Sequence, residues 1–533
     1  MDCSTTYLPF ESTGYFSKIV EAYLQQHENI RPFYLHEPNW EGIKTSIQSR
    51  DSHPVNRKVL TEVLQQQYMG QKNTEAVFSN ISLLNDSATY TITTAHQPNL
   101  FTGPMYFVYK ILHVIKLAES LSAKYPDKNF VPVFYMGSED ADLDELGFVN
   151  IEGAKWSWDT KQTGAVGRMK VDKQLVSLIE SIAGQLGVLP NGNEWVELLR
   201  NCYVNGKTIQ EATLSLVHTL FGHYGLVVLI PDQPALKKLF APVMAKELTE
   251  QFSHKAVTDT IQSLQQFYKV QAAGRPINLF YLIDDKRERI EKEGNAYTVP
   301  SLGLRFTEEA ILQELDEHPE RFSPNVILRG AFQETILPNI IFVGGGGELA
   351  YWLELKTVFE NAGVAYPLLM LRNSFSISSA KLAQKQMSLQ LTDADLFLPE
   401  HLLIGQYVEK HTEHQLNLDK EKAALQAYYD QMSRLATQID PSLRDHVTAL
   451  SHQSLKKVDE LEKKMKRAEK RKFSTAANQI QSIKQALFPG NSLQERQENL
   501  ASFYARYGSS VIDMIYQSSG DINPAFGLIK LQS

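Results

Sequence analysis

Five short apolar runs constrain the fold more than any other feature, because each ends in a polar or glycine-rich turn. They are Thr91–Thr94, Asn129–Met136, Leu226–Ile230, Ile340–Val343 and Pro367–Leu371. Near-continuous runs of β-branched and aromatic residues suit strands buried on both faces of a parallel sheet. Helical spacing appears between them, as in Tyr106, Val108, Tyr109, Leu112, Ile115, Leu117 and Leu121. This alternation predicts an α/β fold built on a doubly wound parallel sheet with insertions.

In an open sheet of this kind, ligands bind beyond the carboxyl ends of the strands, so the residues that close each run are the site candidates. The first run leads into His96, Gln97, Asn99, Thr102 and Gly103, then Pro104 and a helix. Strand, turn and helix N-terminus place backbone N–H groups and a helix dipole beside polar side chains, which suits phosphate or carboxylate. The plainer alternative is a connection with Gly103 at positive φ and Pro104 at the first helical position.

The second run ends in Glu139 and Asp140, which could hold a metal, bind an amino group or act as a general base. Asp142 to Glu145 read equally well as a helix start. The third run ends in Asp232. Gly344, Gly345, Gly346 and Gly347 follow the fourth, and Glu348 is expected to start a helix carrying Tyr351 and Trp352. No Lys-Ser/Thr follows the glycines and no G-x-G-x-x-G is present, so this is neither a Walker loop nor a dinucleotide fingerprint. Glycines allow backbone to approach a ligand closely, although a flexible turn would also explain them. Arg372 and Asn373 close the fifth run.

The catalytic candidates are therefore His96, Glu139 and Asp140. A cofactor shell is expected from Gln97, Asn99, Thr102, Gly103, Gly344, Gly345, Gly346, Gly347 and Glu348. Substrate contacts are expected from Asp142, Asp232, Tyr351, Trp352, Arg372 and Asn373.

The chain divides by texture. Residues 1–155 are a helical lead-in and the first part of the core, 156–325 are insertions around a core strand near 226–232, and 326–385 are the second part of the core. Residues 386–490 carry heptads, with Leu418, Leu425, Met432 and Ile439 seven apart and a second series from Val458 to Leu487, predicting two long antiparallel helices in a coiled coil. Within it Lys463 to Lys472 is strongly basic, and Asp459, Glu460 and Glu462 each precede a lysine by four, a helix-stabilising spacing. Residues 491–533 hold a final helix, Leu493 to Tyr507, returning to the core.

A net charge of −8 excludes a global attraction to nucleic acid or anionic membrane. The two cysteines, Cys3 and Cys202, support neither a disulfide framework nor a thiolate zinc site, and a cytoplasmic location is expected. The acidic N-terminal stretch is not expected to act as a signal peptide, and no apolar run approaches the roughly 18 to 20 residues of a membrane span.

The stretches TAHQPNLFTGPMYFVYKI, PVFYMGSEDADLDEL, IIFVGGGGELAYWLELK, YPLLMLRNSF, LEKKMKRAEKRK and LFPGNSLQER occur in this order along the whole chain. In them the chain resembles the cysteine-adding enzymes of bacillithiol biosynthesis, the BshC cysteine ligases. The resemblance implies a Rossmann-like core similar to class I aminoacyl-tRNA synthetases, connecting-peptide insertions and a coiled coil used for homodimerisation. It implies a ligase joining the cysteine carboxyl group to the glucosamine amine of glucosaminyl malate, with ATP or ADP as the associated cofactor and its consumption left open. His96 to Asn99, Thr102 and Gly103 would lie where synthetases keep phosphate-binding histidines, and Gly344 to Glu348 would border the same pocket. Amide formation from a free carboxylate needs activation, which makes a carboxyl-adenylate route chemically attractive. On this reading His96, Asn99 and Thr102 bind phosphate or carboxylate charge, Glu139 or Asp140 holds the cysteine amino group, and Arg372 meets malate. The alternative is a nucleotide-binding module gripping RNA through Lys463 to Lys472, against which stand the overall acidity and the lack of interleaved aromatics.

Overall fold

The computed structural model describes residues 2–270, 274–522 and 525–532. The chain forms two compact units, Met1–Ile377 with Ser492–Ile529, and Ser378–Asn491 with Lys530–Ser533. Among the described residues no helix is long and apolar enough to cross a membrane.

The first unit is organised by five parallel strands, β1 (Thr89–His96), β2 (Asn129–Met136), β3 (Val227–Leu229), β4 (Asn339–Gly344) and β5 (Leu368–Leu371). Their spatial order is β5-β4-β1-β2-β3. This is the doubly wound order in which the chain departs to opposite sides of β1, so the topological switch point lies between β1 and β4. Apart from the half-buried Ala95, His96 and Asn129, all five are buried because every run is apolar or β-branched on both faces. Helix α1 (Tyr106–Lys124) crosses from β1 to β2, and α2 (Val326–Ile336) leads into β4.

The register levels the two strand ends that matter most. Thr94 lies opposite Val343, and the Thr94 hydroxyl donates to the Val343 carbonyl at 2.8 Å. His96 and Gly345 are each two residues further on, so both leave the sheet at the same edge.

Three sequence expectations are corrected here. The lead-in opens with a strand, Cys3–Leu8, before its helices. The helix expected to begin at Glu348 begins two residues earlier, as α3 (Gly346–Trp352). The single helix expected over Leu493 to Tyr507 is two, Gln494–Gln497 and α4 (Leu500–Tyr507), because Asn499 leaves helical geometry to cap the second by accepting from Ala501 N. The chain then continues through helix Ser510–Ser518 in the same unit.

In the second unit, helices Asp419–Ile439 and Leu443–Lys472 form an antiparallel hairpin, and the second helix, expected to run on to Leu487, instead ends at Lys472 with Ser474–Leu487 as a separate helix. Tyr429 Oη lies 2.6 Å from Ser454 Oγ, and Lys422 Nζ bridges Asp459 at 2.8 Å and Glu462 at 2.7 Å. Of the three expected intrahelical pairs, Glu462 meets Lys466 at 2.8 Å, whereas Asp459 crosses to Lys422 and Glu460 meets Lys457. Cross-hairpin geometry wins over i,i+4 spacing because the partner helix brings Lys422 closer.

Candidate active site at the switch point

At the carboxyl edge between β1 and β4, one imidazole and two cations converge. His96 packs its ring against Tyr106 and Phe107, with centroids 5.4 and 5.6 Å away. Its Nε2 is shielded from solvent and has no hydrogen-bond partner. Burial, with added repulsion from Lys110 and Arg372, holds the imidazole well below its ordinary pKa, so the ring is neutral at pH 7. A neutral imidazole nitrogen without a partner is a proton acceptor or donor held ready for a ligand.

Lys110 is buried on α1, donates to the Ala95 carbonyl at 2.9 Å and forms an ion pair with Glu348. Arg372 is buried at the end of β5 and bonded bidentately to Glu495, with Nη1 to Oε2 at 2.9 Å and Nη2 to Oε1 at 2.7 Å. Its guanidinium also lies over the Tyr106 ring, 5.3 Å from the centroid. Arg372 Nε has no partner, and a Cβ on Gly345 would lie 3.4 Å from it. His96 Nε2 and Arg372 Nε are thus two unsatisfied buried groups on one edge, where burial without a partner costs about 1–3 kcal/mol each.

The glycine run is ordered by its neighbours. None of its four residues has positive φ. Gly345 N donates to Glu348 Oε2 at 2.8 Å, so the first free amide of α3 is already capped. With Lys110 balanced by Glu348 and Arg372 by Glu495, this edge carries no surplus positive charge. It suits a zwitterionic or neutral group better than a polyphosphate.

The turn after His96 is held from the far end of the sequence. Asn499 donates to the carbonyls of Phe101, at 2.8 Å, and Gly103. Phe101 and Thr102 adopt positive φ, and Gly103 sits at φ 63°, where a Cβ would meet Asn99 Cβ at 2.7 Å. Here glycine is required both by the backbone and by space. Thr102 is buried, its hydroxyl 3.4 Å from Asn499 Nδ2. Asn99 is buried with Oδ1 unpartnered.

The acids at the ends of β2 and β3 form a neighbouring ionic cluster. Lys237, itself buried, pairs with Glu139 at 2.5 Å and Asp232 at 3.1 Å. Arg168 grips Asp232 through Nε at 2.6 Å and Nη2 at 2.8 Å. Burial pushes the Asp232 carboxyl up, but Lys237 and Arg168 outweigh it and hold it below the usual range. Both Glu139 and Asp232 are therefore committed to protein cations. Asp140 is more available: it accepts from Gln97 Nε2 at 3.3 Å and pairs with Arg329 at 3.4 Å. Arg329, Arg287 and these hydrogen bonds outweigh its desolvation, so Asp140 stays ionised. Asp142 caps helix Leu143–Leu146 through Glu145 N at 3.2 Å, the structural role its position also suggested.

Two substrate expectations fall on core positions. Trp352 is buried, stacked on Phe342 at 4.2 Å, with its carbonyl bound by Tyr366. Asn373 is buried, with its N bonded to His113 and its amide to the Gly520 carbonyl. Neither faces the edge, because both close the packing under β4 and β5. Tyr351 lies half-buried, and desolvation pushes its hydroxyl well above the ordinary range, with Glu348 adding and Arg329 opposing.

Sequence reasoning missed Lys110, Glu495, Asn499 and Lys237. Lys110 breaks the apolar stripe of α1, and Asn499 interrupts an otherwise amphipathic run; those interruptions were the available signals.

The five-stranded parallel sheet and its order define a Rossmann-type α/β protein, with a candidate small-molecule site at the crossing of β1 and β4. The family model for bacillithiol biosynthesis BshC, N-terminal Rossmann-like domain, matches residues 3–373, and that for the C-terminal coiled-coil domain matches residues 375–531. Relatives named "Putative cysteine ligase BshC" include one from Flavobacterium johnsoniae, 37% identical and covering 99% of this chain and 100% of the relative. Another, from Christiangramia forsetii, is 38% identical over 98% of this chain and 99% of its own. The chain belongs to the BshC family of bacillithiol biosynthesis, and it is a ligase.

Proposed function

We propose that this ligase joins the carboxyl group of L-cysteine to the glucosamine amine of glucosaminyl malate, the step that completes bacillithiol. The observation that carries the reading is the unpartnered, neutral His96 Nε2 facing the same edge as Gly345 and Arg372 Nε. As the C–N bond forms, the attacking amine must lose a proton, and a neutral imidazole can take it. The charge-balanced edge fits the cysteine zwitterion, with Asp140 available to its ammonium group and Arg372 Nε to its carboxylate.

Free carboxylate does not condense with an amine at neutral pH without activation, and ATP is the expected activating partner. At the glycine run Glu348 occupies the Gly345 amide and faces Lys110, and no step is routed through nucleotide there. Incubation with cysteine and glucosaminyl malate, with and without ATP, read by mass spectrometry, tests the reading. Bacillithiol in either tube supports it, and its absence from both with folded protein contradicts it.

The reading places the protein in the cytoplasm, as a homodimer formed through the second unit. Exposed Tyr428, Leu435, Ile439 and Leu461 on its helical hairpin support that assembly, since apolar groups repeated along one hairpin gain from a second copy. Sedimentation should give a dimer that Leu435→Glu weakens. No nucleic-acid partner is included, because the chain carries a net charge of −8 and the basic arm has no interleaved aromatics.

A further inference from the structure

A cavity of about 430 Å³ opens beside the Asn99–Pro104 turn, lined among others by Asn99, Tyr106, Glu145, Lys155, Arg496 and Gln497. Its volume is within the range of sites that enclose small metabolites. Tyr106 forms its inner wall, and the same ring touches His96 and carries Arg372 on its face. The cavity is therefore separated from the His96 edge by a single aromatic ring. At its inner end Asn99, buried, presents an Oδ1 that no protein group satisfies. A buried amide oxygen without a partner asks for a donor from a ligand.

The outer part is charged in an uneven way. Lys155 lies 3.9 Å from the Phe148 ring centroid, and neither Lys155 nor Arg496 forms an ion pair among the described residues. Glu145 stands in the same lining, its carboxyl pushed up by burial and by Asp142 and Asp140. The backbone offers little to an anion: Asn99 N is bonded to the Gln97 carbonyl and Gly103 N to the Leu100 carbonyl. Two exposed side-chain cations without an amide nest favour separate carboxylates over a phosphate group.

We propose that this cavity takes the dicarboxylate portion of the amine substrate, with its carboxylates on Lys155 and Arg496 and neighbouring sugar hydroxyl groups on Asn99 and Glu145, the amine itself being left to His96. The placement rests on the ligase reading and assigns only the malyl end of the second substrate to the side of Tyr106 away from Arg372. It replaces Arg372, whose guanidinium Glu495 already neutralises, as the partner of the malyl group.

The test uses the full-length protein and two exposed positions, Lys155→Gln and Arg496→Gln, whose loss leaves the core untouched. Steady-state assays read KM separately for glucosaminyl malate and cysteine, and calorimetry measures binding of L-malate, ADP and inorganic phosphate to wild type and both variants. The expected result is a KM for glucosaminyl malate raised about tenfold by each change, with KM for cysteine and kcat within about twofold. L-malate should bind wild type and be weakened in both variants. An unchanged KM for glucosaminyl malate while product still forms overturns the proposal, as does phosphate or ADP binding that depends on the two cations while malate binding does not. Should wild type make no product, the ligase reading fails by itself, and the malate arm still decides the cavity.

Discussion

Arg372 and Glu495 meet across 123 residues of sequence in two hydrogen bonds of 2.7 and 2.9 Å, both side chains buried. The cation nearest Gly345 is therefore neutralised by the C-terminal segment, and only its Nε is left for a ligand. Removing one partner strands the other charge in a low-dielectric setting. Glu495→Ala should lower stability by about 3–5 kcal/mol in chemical denaturation, whereas Arg372→Met with Glu495→Leu together should cost less than either single change. Equal or additive losses would show that the pair is not closed.

Asn499 and Gly103 fix the turn that positions Asn99. Asn499→Ala removes two donors to buried carbonyls and a helix cap, and about 1–3 kcal/mol of stability should go with it. Gly103→Ala sets a Cβ at φ 63° against Asn99, with a comparable loss. Thermal unfolding of each variant checks both values, and a Gly103→Ala protein as stable as wild type would refute the crowding.

Glu334 makes stability depend on pH. Its buried carboxyl, near Arg50 and accepting from Gln333 and Asn339, is pushed up by desolvation from 4.5 to about 8. Its folded pKa exceeds the unfolded one, so the folded state holds the extra proton between these values. Stability is then greatest below pH 4.5, as far as this group is concerned, and falls as pH rises toward 8. Glu334→Gln should remove that slope and gain roughly 1–3 kcal/mol over wild type at pH 9 relative to pH 5. Denaturant midpoints at the two pH values provide the readout.

Trp352 is a packing residue. Trp352→Ala should cost about 3–5 kcal/mol through the void left beside Phe342 and Phe359. The milder Trp352→Phe should leave KM for both substrates unchanged. A selective rise in one KM would return Trp352 to the site.

The parallel core was legible because its strands are apolar on both faces and short enough to stand out from helices. The Asn129–Met136 strand keeps its expected bounds, and the others shift by one or two residues at their ends. His96 and Gly345 were placed at a common edge by reasoning from strand ends, and register between β1 and β4 accounts for it. The partners of the site residues were not legible, since Lys110, Lys237, Glu495 and Asn499 act through contacts far apart in sequence. A carboxylate at a strand end reads the same whether it awaits substrate, as Asp140 can, or is closed by a lysine, as Glu139 is. Trp352 likewise follows the glycines in sequence, yet helix periodicity turns it inward.

On the proposed mechanism His96 Nε2 receives the proton of the attacking amine. Product formation by wild type and by His96→Gln, measured by mass spectrometry under saturating cysteine and glucosaminyl malate, addresses it most directly. The expected result is a fall in kcat of about 10²–10⁴ in a variant whose thermal unfolding stays close to wild type. A folded His96→Gln enzyme with the wild-type kcat would contradict it.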